Sequence, residues 1–157
     1  MPSVPDSLDH RLLRLVQEDA GRTLRDLGDE VGLSPSAVQR RLRGYRAAGV
    51  ITREVAVLDP SALGPTTLAV VLVTLDRESA QHHAAFRARM LVEPRVQQCY
   101  DLAGQWDYVV VLVTESLAEC RALSDRLFMD DENVRRYDTL PALEAIKTGL
   151  SVPLPDP

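Results

Sequence analysis

The chain has 157 residues, of which 45% are hydrophobic, 26% charged and 4% aromatic, and its net charge is −5. That length suits one ordinary domain or two small ones, and the balance is that of a soluble globular protein. The apolar runs at residues 68–73 and 109–113 are too short to span a bilayer, and two cysteines make neither a disulfide framework nor a zinc set. MPSVPDSLD has no basic region followed by an apolar run, so no signal peptide is expected and the location is read as cytoplasmic.

In SLDHRLLRLVQED, Leu8, Leu12, Leu15 and Val16 recur at helical spacing. A second helix opens at Thr23, with Asp26 completing a capping box and Leu24, Leu27 and Val31 on one face. Gly32 breaks it, and Ser34 followed by Pro35 starts a third helix that runs to about Ala48, where Gly49 stops it. Helix, tight turn and helix in this order outline a helix-turn-helix. On the third helix Val38, Leu42 and Tyr45 face inward, so Ser36, Gln39, Arg40 and Arg43 face outward, with Ser34 at the helix start.

Residues 33–53 hold five arginines and no acid, although residues 1–60 as a whole carry nine arginines and nine acidic residues. A cluster of arginines is often no more than a solvated face. Here it coincides with a helix shaped to enter a major groove, where Arg can bond guanine bidentately and Gln can bond adenine. Arg41, Arg46 and Arg53 are placed to meet phosphates. The β-branched segment VITREVAVLDP after Gly49 reads as extended rather than as a fourth helix. DPSALGP, residues 59–65, has the composition of a linker.

Beyond it the rhythm changes. TTLAVVLVTL reads as a buried strand, and residues 79–91 as a helix with Phe86 and Met90 on one face, ended by Pro94. VQQCYDLA and WDYVVVLVT read as two strands joined by Gly104 and Gln105, a two-residue connection suited to a type II′ hairpin. Ser116 and Glu119 cap a second helix carrying Cys120, Leu123 and Leu127 on one face. After the acidic MDDEN loop, VRRYDTLPALEAI reads as a last strand.

The order βαββαβ is that of a ferredoxin-like fold, with both helices on one sheet face. The other face, rich in Val and Leu, needs a cover, and a second copy of the chain supplies it economically. The Pro-rich tail, residues 151–157, reads as extended or frayed. His82 and His83 diverge by about 100° on a helix and cannot form the i, i+4 metal pair. His82, on the face of Phe86 and Met90, reads as a boundary histidine. No phosphate loop, nucleophile elbow, HExxH or CxxC occurs, so no metal, cofactor or catalytic residue is assigned.

LDHRLLRLVQEDAGRT, VGLSPSAVQRRL, AGVITREVAVLDPSALG, EPRVQQCYDLAGQWDYVVVL and VRRYDT, in that order and spacing, resemble the Lrp/AsnC (feast/famine) family of transcriptional regulators over nearly the whole chain. The resemblance implies an α+β chain: an N-terminal winged helix-turn-helix at 1–58, the 59–65 linker, and a ferredoxin-like effector-binding and oligomerisation domain at 66–150. It implies a pseudo-palindromic double-stranded DNA operator, a homodimer assembling to tetramer or octamer, and an amino-acid effector.

GQWD is similar to the family's Gly-x-x-Asp effector motif. Gly104 would then let a ligand approach the backbone, and Asp107 would receive its ammonium group, with Leu102, Ala103, Gln105 and Trp106 on the same wall. Asp131, Val134 and Thr139 match the region that closes the pocket from a neighbouring chain. Gln105 and Trp106 stand where relatives often have an acidic residue and Tyr, and Gly44 and Tyr45 replace a Leu–Glu-like pair.

Sirohaem decarboxylases are similar to these regulators and use histidine and arginine at the pocket. A ligand-binding module with a vestigial first domain is a third possibility. The Arg-rich third helix has a purpose only in the regulator, so no enzyme activity is expected.

Overall fold

Local capping decides where the first three helices begin. The structure is a computed structural model and describes residues 6–77 and 79–155. Helix α1 (Ser7–Glu18) starts at Asp6, whose carboxylate accepts the Asp9 N–H while the Asp9 carboxylate accepts the Asp6 N–H. Helix α2 (Leu24–Val31) starts at Thr23 with the expected reciprocal box to Asp26. Helix α3 (Pro35–Ala47) starts at Ser34, whose hydroxyl accepts the Ala37 N–H.

The α2–α3 turn depends on two glycines. Gly32 has φ +73°, the left-handed conformation a side chain resists. Gly28 lies so close to the Leu33 carbonyl that a Cβ would stand 2.4 Å from its oxygen. Leu12, Leu13, Leu27, Val31, Val38, Leu42 and Tyr45 close the core of these helices. Each fully buried aliphatic side chain there contributes about 1.5–3 kcal/mol. The buried stripe of α1 is Asp9, Leu12 and Leu13, turned from the expected Leu8–Leu12–Leu15–Val16 face so that it includes an acid.

The chain forms two compact units, one comprising the sequence up to Val57 plus the segment from Lys147, the other Leu58–Ile146. Two expectations for the first unit change. Residues 50–58 pair with no strand in the described chain, so the wing is a single unpaired segment. The tail is docked rather than frayed, for residues 151–155; residues 156–157 lie outside the described residues, as do residues 1–5 of the signal-peptide reading. Its partners are on α1: the Gln17 side chain bonds Val152, Arg14 bonds Leu154 and Pro155, and Leu154 packs on the helical core.

The second unit is a four-stranded sheet with order β2-β3-β1-β4 and antiparallel neighbours throughout. Its elements are β1 (Thr67–Leu75), α4 (Ala80–Val92), β2 (Val96–Asp101), β3 (Tyr108–Thr114), α5 (Leu117–Ser124) and β4 (Val134–Pro141). A π-helical turn, Asp125–Met129, prolongs α5, and one 3₁₀ turn, Pro60–Ala62, lies before β1.

Alternation sends Ala69, Val71, Val73 and Leu75 of β1, and Tyr108, Val110 and Leu112 of β3, into the helix-covered core. Phe86 stacks on Tyr108 with centroids 4.3 Å apart, and Phe128 adjoins both Phe86 and Tyr137. Leu68, Val70, Leu72, Val109, Val111 and Val113 occupy the opposite face and stay half-buried.

Two boundaries move. The β2–β3 connection is residues 102–107, closed by the Leu102 N–H donating to the Asp107 carbonyl, and Gly104 has no positive φ. A type II′ turn is therefore not formed. The last strand ends at Pro141, not residue 146, because β1 begins at Thr67: the Ala142 N–H reaches the Leu68 carbonyl, and beyond residue 143 β1 offers no partner.

Candidate nucleic-acid interface and effector site

The outer surface of α3 carries Ser36, Gln39, Arg40 and Arg43, all exposed, with Ser34 exposed at its start. The five arginines of the cationic stretch divide into two groups. Among the described residues no hydrogen bond or ion pair engages the side chain of Arg40, Arg43 or Arg53. Arg46 is tied to Glu54, with Nε 3.0 Å and Nη2 2.5 Å from the same carboxylate oxygen.

Arg41 turns inward. Its guanidinium and the Tyr45 hydroxyl both donate to the same oxygen of Asp9, and its Nη1 lies 3.8 Å from Asp6. The Asp9 side chain is 10% exposed and that of Arg41 31%. Burial raises the Asp9 pKa, but hydrogen bonds from Tyr45, the Asp6 backbone and Arg41 outweigh it, so the carboxyl sits below its ordinary value. Burial first, and Asp9 next, push the Tyr45 phenol up. The expectation that Arg41 and Arg46 meet phosphate thus encounters a competing carboxylate in each case.

This network ties the start of α1 to the inner face of α3 and fixes which side of α3 faces out. Asp9 was not visible as a functional residue in the sequence. Its signal is position: it stands on the apolar stripe of α1, where an acid needs a buried donor.

The residues matched to an effector site fall in two places. Asp107 continues β3 past its last pair: its N–H donates to the Val73 carbonyl, and its Oδ2 accepts the Leu75 N–H at 2.6 Å. One carboxylate oxygen is therefore used to finish the β1 ladder. Leu75 pairs with Val134 on its other side, and the Val134 N–H donates to the Asp131 carbonyl. Asp131 in turn bonds Arg89 of α4 and the Asn133 N–H.

Trp106 is covered by the Arg136 guanidinium, 4.6 Å from its ring centroid. Leu102, Ala103, Gly104 and Gln105 are exposed on the same loop. A Cβ built on Gly104 would meet nothing within 4 Å, so neither crowding nor backbone angle requires glycine there. Thr139 stands apart. It pairs with Val71, four residues from Leu75 and so about 13 Å along the strand. Its hydroxyl meets Ser124 on the helix-covered side, in a groove of ≈ 650 Å³ beside α5.

The histidine on the core boundary is His83, not only His82. His83 Nδ1 lies 2.6 Å from the Tyr108 hydroxyl, whereas His82 Nδ1 lies 2.6 Å from the capping Ser79. Among the described residues no His, Cys, Asp and Glu group could hold a metal, and no helix is long and apolar enough to cross a membrane.

Residues 6–46 match the family model described as the AsnC-type helix-turn-helix domain, and residues 68–152 that of the Lrp/AsnC ligand binding domain. The leucine-responsive regulatory protein of Rhizobium meliloti is 31% identical over 94% of this chain and 94% of its own length. An HTH-type transcriptional regulator of Sinorhizobium fredii is 30% identical over 95% of this chain and 88% of its own. Among solved structures, an AsnC family transcriptional regulator from Agrobacterium tumefaciens superposes with TM-score 0.86 at 30% identity, covering 94% of this chain and 96% of that one. A transcriptional regulator of Neisseria meningitidis, solved as its L-Met complex, superposes with TM-score 0.85 at 27% identity, covering 96% and 97%.

Proposed function

The chain belongs to the Lrp/AsnC family of helix-turn-helix transcriptional regulators, and from that premise we propose how its surfaces divide the work. Arg40 and Arg43, with Gln39 and Ser36, read base edges in a major groove. Arg53 and the first turn at Ser34 meet phosphates. Arg41 and Arg46 hold the helix in place instead. The observation that carries this reading is the split within one cationic stretch: Arg40, Arg43 and Arg53 are exposed and unpaired among the described residues, while their neighbours are bound to Asp9 and Glu54. An exposed guanidinium without a partner gains most from a phosphate or a guanine edge.

A dimer places two α3 helices on half-sites about one helical turn apart, or a multiple of that. The half-buried Val and Leu face of the sheet supports pairing with a second copy, and larger assemblies follow from further contacts of the same unit. The effector is an amino acid, as the L-Met complex of the Neisseria meningitidis relative suggests. The free oxygen of Asp107 accepts its ammonium group, beside the Gly104 backbone, which the fold does not need as glycine. Asp131, Val134 and Thr139 act from a neighbouring copy. The domain scheme is 1–58, 59–65 and 66–146, shortened from 66–150 because the segment from Lys147 is grouped with the first unit. The protein is read as a non-enzymatic regulator acting in the cytoplasm.

The test is a thermal-shift screen of the twenty amino acids, followed by DNA binding with and without any hit. The wild-type chain is expected to be stabilised by at least one and to change its DNA affinity with it. Asp107→Ala is expected to lose that stabilisation. A variant that still responds fully removes Asp107 from the site.

A further inference from the structure

The segment from Lys147 re-enters the first unit after the chain has completed the second, so the chain passes between the units twice. Its seat on α1 is built, not incidental. The Gln17 side chain uses both its functions on one residue: its Oε1 accepts the Val152 N–H at 2.7 Å and its Nε2 donates to the Val152 carbonyl at 3.1 Å. That is how an antiparallel strand would pair. Arg14, one turn earlier, donates to the Leu154 and Pro155 carbonyls at 3.3 and 3.2 Å.

Leu154 is the least exposed residue of 151–155 and packs on the helical core with Leu15 and Val16. Pro153 and Pro155 have no N–H, so within residues 152–155 only Val152 and Leu154 carry a donor. The prolines also fix φ near the extended polyproline conformation, which lowers the entropy lost on docking.

We infer that the outer face of α1 is a peptide-docking groove whose occupant is this chain's own residues 152–155, and that this second attachment carries the effector's influence to the DNA-binding unit. The second half rests on the effector reading above. β4 begins at Val134, beside Asp131, and contains Thr139; after it only residues 142–146 separate the sheet from the unit that docks the tail. A shift of β4 on ligand binding is thereby a pull on the strap. Coupling of this kind requires the ligand to favour one strap state over the other. A single linker near residue 58 would leave the helices free to reorient without sensing β4.

Two variants of the full chain test this. Gln17→Ala lies on the exposed side of α1 and raises helix propensity, so it removes the strap contact without harming the helix. Leu154→Asp removes the apolar anchor. Hydrogen exchange within residues 7–18 is expected to speed by about tenfold in either variant, with β1 and β3 unchanged as internal controls. Unchanged exchange in both variants overturns the docking. Protection in the wild type that is lost on dilution assigns the occupant to another copy and overturns the own-chain assignment.

With an amino acid that shifts the wild-type melting, Leu154→Asp is expected to keep the shift and lose the change in DNA affinity. A DNA response of wild-type size overturns the coupling. A screen with no stabilising amino acid overturns the effector reading and the coupling with it, while exchange in α1 still decides the docking.

Discussion

The two units fix their important surfaces by different means. In the sensing unit, orientation is set by apolar and aromatic packing: Tyr108, Phe86, Phe128 and Tyr137 adjoin one another in a row, and alternation along β1 and β3 leaves little choice of face. In the DNA-binding unit the core is small and, apart from Tyr45, aliphatic, and rotation of α3 is set by a polar lock, Asp9 against Arg41 and Tyr45. An apolar stripe leaves a helix freedom to roll by some tens of degrees; a carboxylate bound by two donors on adjacent turns does not. The difference teaches that a positive charge in a recognition helix is not by itself a DNA contact.

Five substitutions at four positions sharpen or break this contrast. Phe86→Ala, in the sensing unit, should cost about 3–5 kcal/mol. Urea unfolding followed by the fluorescence of Trp106, the chain's one tryptophan, checks it, and the DNA-binding unit should be spared.

Asp9→Ala should cost about 2 kcal/mol in the first unit, less than the roughly 3–5 kcal/mol of a fully buried broken pair because Arg41 stays 31% exposed. Calorimetry of the helical transition measures this; a neutral result would mean that apolar contacts alone hold α3. Asp9 also predicts a pH dependence. Its folded-state pKa lies below the unfolded one, so the unfolded chain binds the proton more tightly. The stabilisation is complete above about pH 4 and disappears as the pH falls through the depressed value. Asp9→Asn should flatten that acid slope.

Arg40→Ala should weaken operator binding by about 1–3 kcal/mol and relax preference at one base pair. Arg53→Ala should have the smallest effect, weakening all sequences alike and lowering the salt slope by about 1. Competition against unrelated DNA at several salt concentrations separates the two.

Much of this architecture was legible in the residues. The caps at Thr23 and Ser34, the inward Val38–Leu42–Tyr45 stripe and the βαββαβ order are local patterns, and local patterns are what a sequence displays. What escaped was long-range pairing of polar groups. Asp9 with Arg41 spans 32 residues, Asp107 with Leu75 also 32, and Gln17 with Val152 135. No periodicity reports such partners, so Arg41 looked as available as Arg40, and Asp107 looked like a free carboxylate. The tail was misread for the same reason: three prolines imply an extended chain, which is correct, but not that a helix 135 residues away is shaped to bond it. The hairpin was misplaced because Gly-X is a strong turn signal, and here the Asp107 carbonyl closes the loop one step further out.

The central claim is that Arg40 and Arg43, and not the cationic stretch at large, read the DNA. Its most direct measurement is selection of bound fragments from genomic DNA by three purified full-length chains: wild type, Arg40→Ala/Arg43→Ala, and Arg46→Ala, each verified as folded by circular dichroism. Wild type and Arg46→Ala should enrich the same palindromic sequence, and the double variant should enrich none. Equal enrichment by all three, or loss with Arg46→Ala alone, would contradict the assignment.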